Sequence, residues 1–392
     1  LAPLGLLAVW IMMPVTLPVP VLRELVQDRF AVSELLTSLF MSINMIGALF
    51  AAPLAGMLMD RTHRTRSLLI GALVADAACF GALAAPVPYW LFLMIRFVEG
   101  CAHITALSVL LALASSALAP EHRGRAMGAI GGSMTLGVAL GAPLGGFLGR
   151  FDALMPLQAA AALALSGALL AALVMRDSAG STGARTTLRE IIRALRAHPA
   201  LLTPLAFAFA DRFTVGFFTT TFSMYMRRIH GASSEEIGLA IAVFMLPFAL
   251  LSYPFGRLAE RYSVTALLCI GSVLYGIGTM WVGYSAPPVL YALMFATGFT
   301  AAVMFVPSML MTTQLAPDAI RATGLGAFNA AGSLGFIIGP LAGGAISQWI
   351  AADSGWLEGY RAAFVTAGLS ELLCVAFALP FLLRLRAQGR VS

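Results

Sequence analysis

The stretch Gly137–Gly146, GVALGAPLGG, has a near copy at Gly335–Gly344, GFIIGPLAGG. Gly137, Gly141, Gly145 and Gly146 return as Gly335, Gly339, Gly343 and Gly344, each displaced by 198 residues in a chain of 392. Glycines four apart line one helix face without side chains, so a neighbouring backbone can come close. Pro143 and Pro340 each remove a backbone hydrogen bond and bend the helix beside that face. One ladder alone reads as an ordinary packing seam. Two at matched positions point to a duplicated unit and to a helix-packing hinge along which its halves rock.

Working outward from the ladders, the chain is apolar almost everywhere. Sixty per cent of residues are hydrophobic, 11% are charged and the mean hydropathy is +0.90. Such a composition excludes a soluble domain. Apolar stretches of about 20 residues, the length that crosses a bilayer core roughly 30 Å thick, recur to the C-terminus. The expected spans lie near 4–22, 33–59, 66–86, 89–118, 124–148, 154–175, 202–226, 235–258, 263–284, 287–313, 320–349 and 362–383. The first is broken by prolines and reads as a span rather than a cleaved signal.

Lysine is absent, and all 24 basic residues are arginine. Sixteen arginines fall in loops and the tail on one side and six on the other, so the positive-inside rule places both termini in the cytoplasm. The basic pI of about 9.5 then reflects topology, and no nucleic-acid partner is expected. Cys79, Cys101, Cys269 and Cys374 are scattered through the spans without metal-ligand spacing, so no metal site is expected.

The longest polar interval, 176–198, separates an N-terminal six-helix bundle, 1–175, from a C-terminal one, 199–392. From Thr187 onward Leu188, Ile191, Ile192 and Leu195 recur at helical spacing against Arg189, Arg193 and Arg196, which suggests that this cytoplasmic linker carries an amphipathic helix lying on the cytoplasmic surface. The fold expected is all-α integral membrane, with 12 transmembrane helices in two six-helix repeats.

GMLMDRTHRTR, from Gly56, resembles the loop signature of the major facilitator superfamily between its second and third spans, with Gly56, Asp60, Arg61 and Arg64 in place and His63 where glycine is usual. LFLMIRFVEGCAH, Leu91–His103, resembles the fourth-span motif through Arg96, Glu99 and Gly100. The ladder resembles the fifth-span motif of the 12-helix drug/proton antiporter group, although Ala142 separates Gly141 from Pro143. The resemblance covers essentially the whole chain and implies the major facilitator fold. It also implies a cytoplasmic gate at Gly56, Asp60, Arg61 and Arg64, echoed by Glu260 and Arg261. The gate would be a carboxylate latched to a helix end or an arginine; the alternative is that these charges only anchor helix ends.

An ionisable group near mid-bilayer costs about 2.5–3.5 kcal/mol on insertion scales, so each one calls for a reason. Arg96, Glu99 and His103 share one helix face, and Glu99 can exchange partners between its two neighbours, as a proton-coupled carrier requires. A static Arg96–Glu99 packing pair is the alternative. Asp211 and Arg212 lie in the seventh span; shifting back by 198 residues places them opposite Met13 and Pro14, which carry no charge. Asp211 is therefore the preferred proton carrier, with Glu99, Arg96 and Arg212 in coupling. Asp76, His103 and Glu371 are further candidates, Asp76 and Glu371 being expected in peripheral spans.

The spans expected to line a cavity offer Trp10, Met13, Phe217, Phe218, Thr221 and Phe295, a lining of flexible Met and flat aromatics suited to amphiphilic cargo. No P-loop, zinc-hydrolase motif or serine elbow accompanies them, which argues against an ATP-driven pump or an enzyme. The expected activity is proton-coupled efflux of small amphiphilic or drug-like molecules by alternating access, without a cofactor and driven by the proton gradient. A lipid or lysolipid transporter, a sugar or siderophore exporter and a non-transporting membrane receptor stay open as alternatives. Membrane lipid is the expected surrounding partner, the chain is expected to be a monomer, and a bacterial inner membrane is the expected location.

Overall fold

Backbone groups in hydrocarbon find no water, so a spanning chain satisfies them within helices or closed barrels. This chain takes the first route. The computed structural model describes residues 2–62, 64–116, 123–175, 188–259, 261–317 and 320–388, and no strand occurs among them. The helices are α1 (Ala2–Met12), α2 (Glu34–Thr62), α3 (Thr65–Ala84), α4 (Tyr89–Ser116), α5 (Arg123–Gly149), α6 (Met155–Val174), α7 (Leu188–Ala197), α8 (Leu202–Thr219), α9 (Thr221–Ile229), α10 (Ser234–Ala259), α11 (Val264–Val282), α12 (Pro287–Leu315), α13 (Arg321–Ser354) and α14 (Trp356–Ala387). Among the described residues, twelve spans are long and apolar enough to cross a membrane, α1 with the turns after it making the first and α8 with α9 the seventh.

Both of those spans are broken. Pro14, Pro18 and Pro20 reduce the end of the first to short 3-10 turns, because each proline lacks the N–H that an α-helical bond needs. The seventh breaks at Thr220, whose φ of −132° and ψ of −70° lie outside the helical range.

The chain divides into two units, Leu1–Val32, Leu39–Arg185 and Ala232–Ala242 in one, Ser33–Ser38, Thr186–Gly231 and Val243–Ser392 in the other. The partition differs from a simple cut at the polar interval, since the first turn of α2 belongs to unit 2 and the first turns of α10 to unit 1. In unit 1, Leu7, Ile11, Leu69, Leu73, Val109 and Leu110 belong to one apolar core. In unit 2, Phe213 and Phe217 pack with Ala363 and Ala367.

In α7, Ile191 and Leu195 pack against Leu205, Ala208, Ala327 and Phe328 of unit 2, while Ile192, Arg189, Arg193 and Arg196 stay exposed. Residues 176–187 of the polar interval lie outside the described residues.

Candidate transport and coupling site

The glycine ladders are seams inside each unit. A Cβ on Gly137, Gly141 or Gly145 would stand 2.5, 2.2 and 2.0 Å from the carbonyl oxygens of Val9, Met13 and Leu17, so α5 lies backbone to backbone against the first span. A Cβ on Gly335 or Gly339 would stand 2.5 and 2.3 Å from the Phe209 and Phe213 carbonyl oxygens, and one on Gly343 would meet Thr221 and Phe217. Only the fourth glycine of each ladder turns elsewhere, Gly146 to Ser234 and Gly238 in unit 1, Gly344 to Glu34 and Ser38 in unit 2. α5 and α13 run on through Pro143 and Pro340, and the ring of Pro340 packs over Gly216.

The seams also correct the register of the repeat. Gly141 meets Met13 and Gly339 meets Phe213, so the first and seventh spans are related by a shift of 200 residues, two more than the ladders. The counterparts of Asp211 and Arg212 are therefore Ile11 and Met12. The charge pair still has no equivalent in the first half.

In unit 1, α4 carries Arg96, Glu99 and His103 on one inward face, at 1, 2 and 5% exposure. Arg96 Nη1 donates to Glu99 Oε2 at 2.7 Å, and Asn44 Nδ2 donates to the same oxygen at 2.5 Å. The guanidinium lies over Phe40 at 4.6 Å and Phe80 at 5.8 Å from the ring centroids, faces that suit a cation. Asn44 reaches Glu99 because Gly100 removes the barrier between α2 and α4: a Cβ there would sit 2.1 Å from the Asn44 carbonyl oxygen. Asp76 completes the group from α3. A donor atom from each of Asp76, Glu99 and His103 lies within 4.8 Å of the others. Asp76 is 1% exposed, since α3 turns it inward onto α4.

In unit 2, α8 supplies Asp211, α14 supplies Glu371 and α11 supplies Tyr275, at 3, 0 and 0% exposure. Asp211 Oδ2 lies 3.6 Å from Arg212 Nε, and the Arg212 guanidinium turns away over Phe305 and Phe336 at 4.5 and 5.5 Å. Adjacent residues on a helix point about 100° apart, which is why the two side chains diverge. Both carboxylate oxygens of Asp211, both of Glu371 and the Tyr275 hydroxyl lack a hydrogen-bond partner. The three groups stand near enough to act on one another's charge, with the hydroxyls of Thr214 and Ser272 close to Glu371. Glu371 is fully buried although its span was expected to be peripheral. A Cβ on Gly368 would lie 2.3 Å from the Gly276 carbonyl oxygen, and that close approach of α14 to α11 seals Glu371 inside.

The residues expected to line a cavity are mostly packing residues. Phe217 and Phe218 are fully buried, and Phe218 stacks on Phe244 at 5.0 Å. Thr221 and Met13 are buried against the ladder glycines. Trp10 Nε1 donates to Ser166 Oγ of α6 at 3.0 Å. Phe295, on α12, is 54% exposed. Two apolar grooves, about 310 and 290 Å³, lie between α3 and α4 and between α11 and α14, and none of the six residues lines either.

Of the expected gate, Arg64 and Arg261 are exposed and Gly56 sits within α2; the side chains of Asp60 and Arg61, and the whole of Glu260, lie outside the described residues. A cluster the sequence did not reveal is in unit 2. Glu34, 1% exposed, accepts from Tyr360 Oη at 2.9 Å and Ser347 Oγ at 3.3 Å, with Arg228 Nη2 at 3.5 Å. An acid in the first turn of a helix ordinarily reads as a helix-end charge, so nothing marked Glu34 in advance.

Comparison with known proteins places this architecture. The chain is 28% identical over 370 residues to the magnetosome protein MamH of Paramagnetospirillum magneticum, covering 87% of this chain and 82% of the relative. It is 24% identical over 356 residues to the multi-drug resistance efflux pump PmrA homolog of Lactococcus lactis, covering 88 and 84%. The crystal structure of a bacterial homolog to the human lysosomal transporter Spinster, in an inward-facing and occupied conformation, shares the fold with a TM-score of 0.82 over 96% of this chain and 95% of that one, at 15% identity. The family model for the Major Facilitator Superfamily matches residues 4–226 and 205–391. With twelve spans, paired ladders and matches over both halves, this chain belongs to the major facilitator superfamily of membrane transporters.

Proposed function

We propose that the chain is a proton-coupled exporter of small amphiphilic molecules, working by alternating access, with Asp211 as the proton carrier and Glu371 and Tyr275 as its buried surroundings. The observation that carries this reading is the group in unit 2, where the buried carboxyl of Asp211 lies 3.6 Å from Arg212 and the buried carboxyl of Glu371 stands near enough to act on the charge of Asp211. Two carboxylates against one arginine leave one negative charge, and holding such a charge unpaired in a membrane interior is costly. A bound proton removes that charge, and its loss restores it, so the group exists in two states of different energy. Cargo or conformation that favours one state then drives the other, which is what coupling requires.

Efflux of amphiphiles is the cargo reading that the sequence supports through its apolar, Met-rich and Phe-rich spans. A relative of this chain bears the name of a multidrug efflux pump, which agrees with it. The test is cargo-evoked proton movement in proteoliposomes holding an interior pH dye, with lipophilic cations, neutral drugs and lysolipids supplied in turn. The intact protein is expected to move protons with at least one cargo class, and Asp211→Asn to move none. Cargo binding without proton movement in the intact protein would overturn the reading.

A further inference from the structure

We propose that Asp76, Glu99 and His103 form a binding site for a divalent first-row transition-metal ion inside unit 1, independent of the coupling group in unit 2. The donors are two carboxylates and an imidazole, a set that suits ions of the manganese-to-zinc series. A donor atom from each of the three lies within 4.8 Å of the other two. One central point therefore lies within about 2.8 Å of all three, and side-chain shifts under about 1 Å bring them to the roughly 2.0–2.2 Å of nitrogen and oxygen ligands.

Two further observations point to a ligand rather than to a closed ion-pair network. Asp76 Oδ1 and His103 Nδ1 have no hydrogen-bond partner, although both residues are at least nine-tenths buried. Buried polar atoms are nearly always satisfied, so two orphans from different helices at one cluster need a common partner. Charge admits a cation there: Asp76 and Glu99 against Arg96 leave one negative charge, which a divalent ion turns into one positive charge.

A proton shared by the two carboxyls would cancel that charge but would leave the imidazole outside it, whereas a metal ion is a common partner for a donor atom of all three residues. The supporting contacts are already present: Arg96 Nη1 and Asn44 Nδ2 both hold Glu99 Oε2. Such outer contacts orient a ligand and tune its affinity. The sequence hid the site because Asp76 stands on α3 and the other two donors on α4, so no ligand spacing could be read along the chain.

The experiment uses the full-length protein in detergent, stripped with chelator, reloaded with Mn²⁺, Co²⁺ or Zn²⁺ and desalted, with metal per chain measured by mass spectrometry. One tightly held ion per chain is expected. Asp76→Asn and His103→Gln should each weaken binding at least about tenfold, while Asp211→Asn should leave it unchanged. Electron spin echo modulation of the Mn²⁺-loaded intact protein reads imidazole nitrogen at the metal without any substitution, and His103→Gln should abolish that signal. No retained metal in a monodisperse protein, or equal retention in both ligand variants, would overturn the proposal and leave a proton as the neutralising cation. Because Asp211→Asn abolishes proton movement under the coupling proposal but not metal binding, the two proposals fail separately.

Discussion

Glu34, in the first turn of α2, accepts a hydrogen bond from the hydroxyl of Tyr360, in the first turns of α14, at 2.9 Å across 326 residues of chain. Ser347 Oγ adds a second bond at 3.3 Å, and Arg228 approaches at 3.5 Å while its guanidinium covers the ring of Trp356 at 3.6 Å. A buried carboxylate with three partners depends on all of them. Removing one side of such a pair strands the other charge and costs about 3–5 kcal/mol, whereas losing a single neutral hydrogen bond costs about 1 kcal/mol. Glu34→Ala is therefore expected to lower the thermal midpoint of the detergent-solubilised protein most, Tyr360→Phe only slightly. Equal midpoints for the two would mean that the cluster does not stabilise unit 2.

The ladders make a sharper contrast. Gly141→Leu drives a side chain onto the Met13 carbonyl oxygen and Thr16 Oγ1, backbone and hydroxyl atoms that a Cβ alone would approach to 2.2 and 2.3 Å. Gly339→Leu does the same to Phe213. Nothing lies within 4 Å of a Cβ on Gly131 or Gly132 in the same α5 helix. Alanine there replaces the poorest ordinary helix former with the best, a gain of about 1 kcal/mol. The leucine variants should fail to yield monodisperse protein on gel filtration, and Gly131→Ala and Gly132→Ala should melt at or above the midpoint of the intact chain.

His230 follows α9 outside the spans, packed edge-on against Tyr225 at 4.9 Å between centroids. Burial pushes its imidazole below the ordinary 6.5, so the folded chain holds that proton less readily than the unfolded one. The stability this contributes is complete above about pH 6.5 and falls as pH drops from there through the folded value. His230→Gln should flatten that portion of the curve of thermal midpoint against pH. An unchanged slope would assign the acid sensitivity to other groups.

The spans and the duplication were legible in the sequence, because hydrocarbon thickness and a repeated glycine ladder leave marks along the chain itself. Arg96, Glu99 and His103 could be placed on one face for the same reason, since they share a helix. Asp76 and Glu371 could not be placed, because a residue's depth in a bundle depends on which way its helix rotates. The close passages at Gly100 with Asn44 and at Gly368 with Gly276 bring their helices together, and neither partner is visible from the other's sequence. Phe217, Phe218 and Phe295 show the same limit from the other side: aromatic composition suggested a cavity, whereas two of the rings are fully buried in unit 2 and the third is exposed.

The most direct test of the central claim separates movement of cargo from movement of protons in one variant. Proteoliposomes carrying Asp211→Asn are loaded with unlabelled cargo and given labelled cargo outside without any gradient, and exchange is followed beside an interior pH dye. The account predicts that exchange persists, since the binding path is intact, while cargo-evoked proton movement disappears. Proton movement equal to that of the intact protein would contradict the assignment of Asp211 as proton carrier.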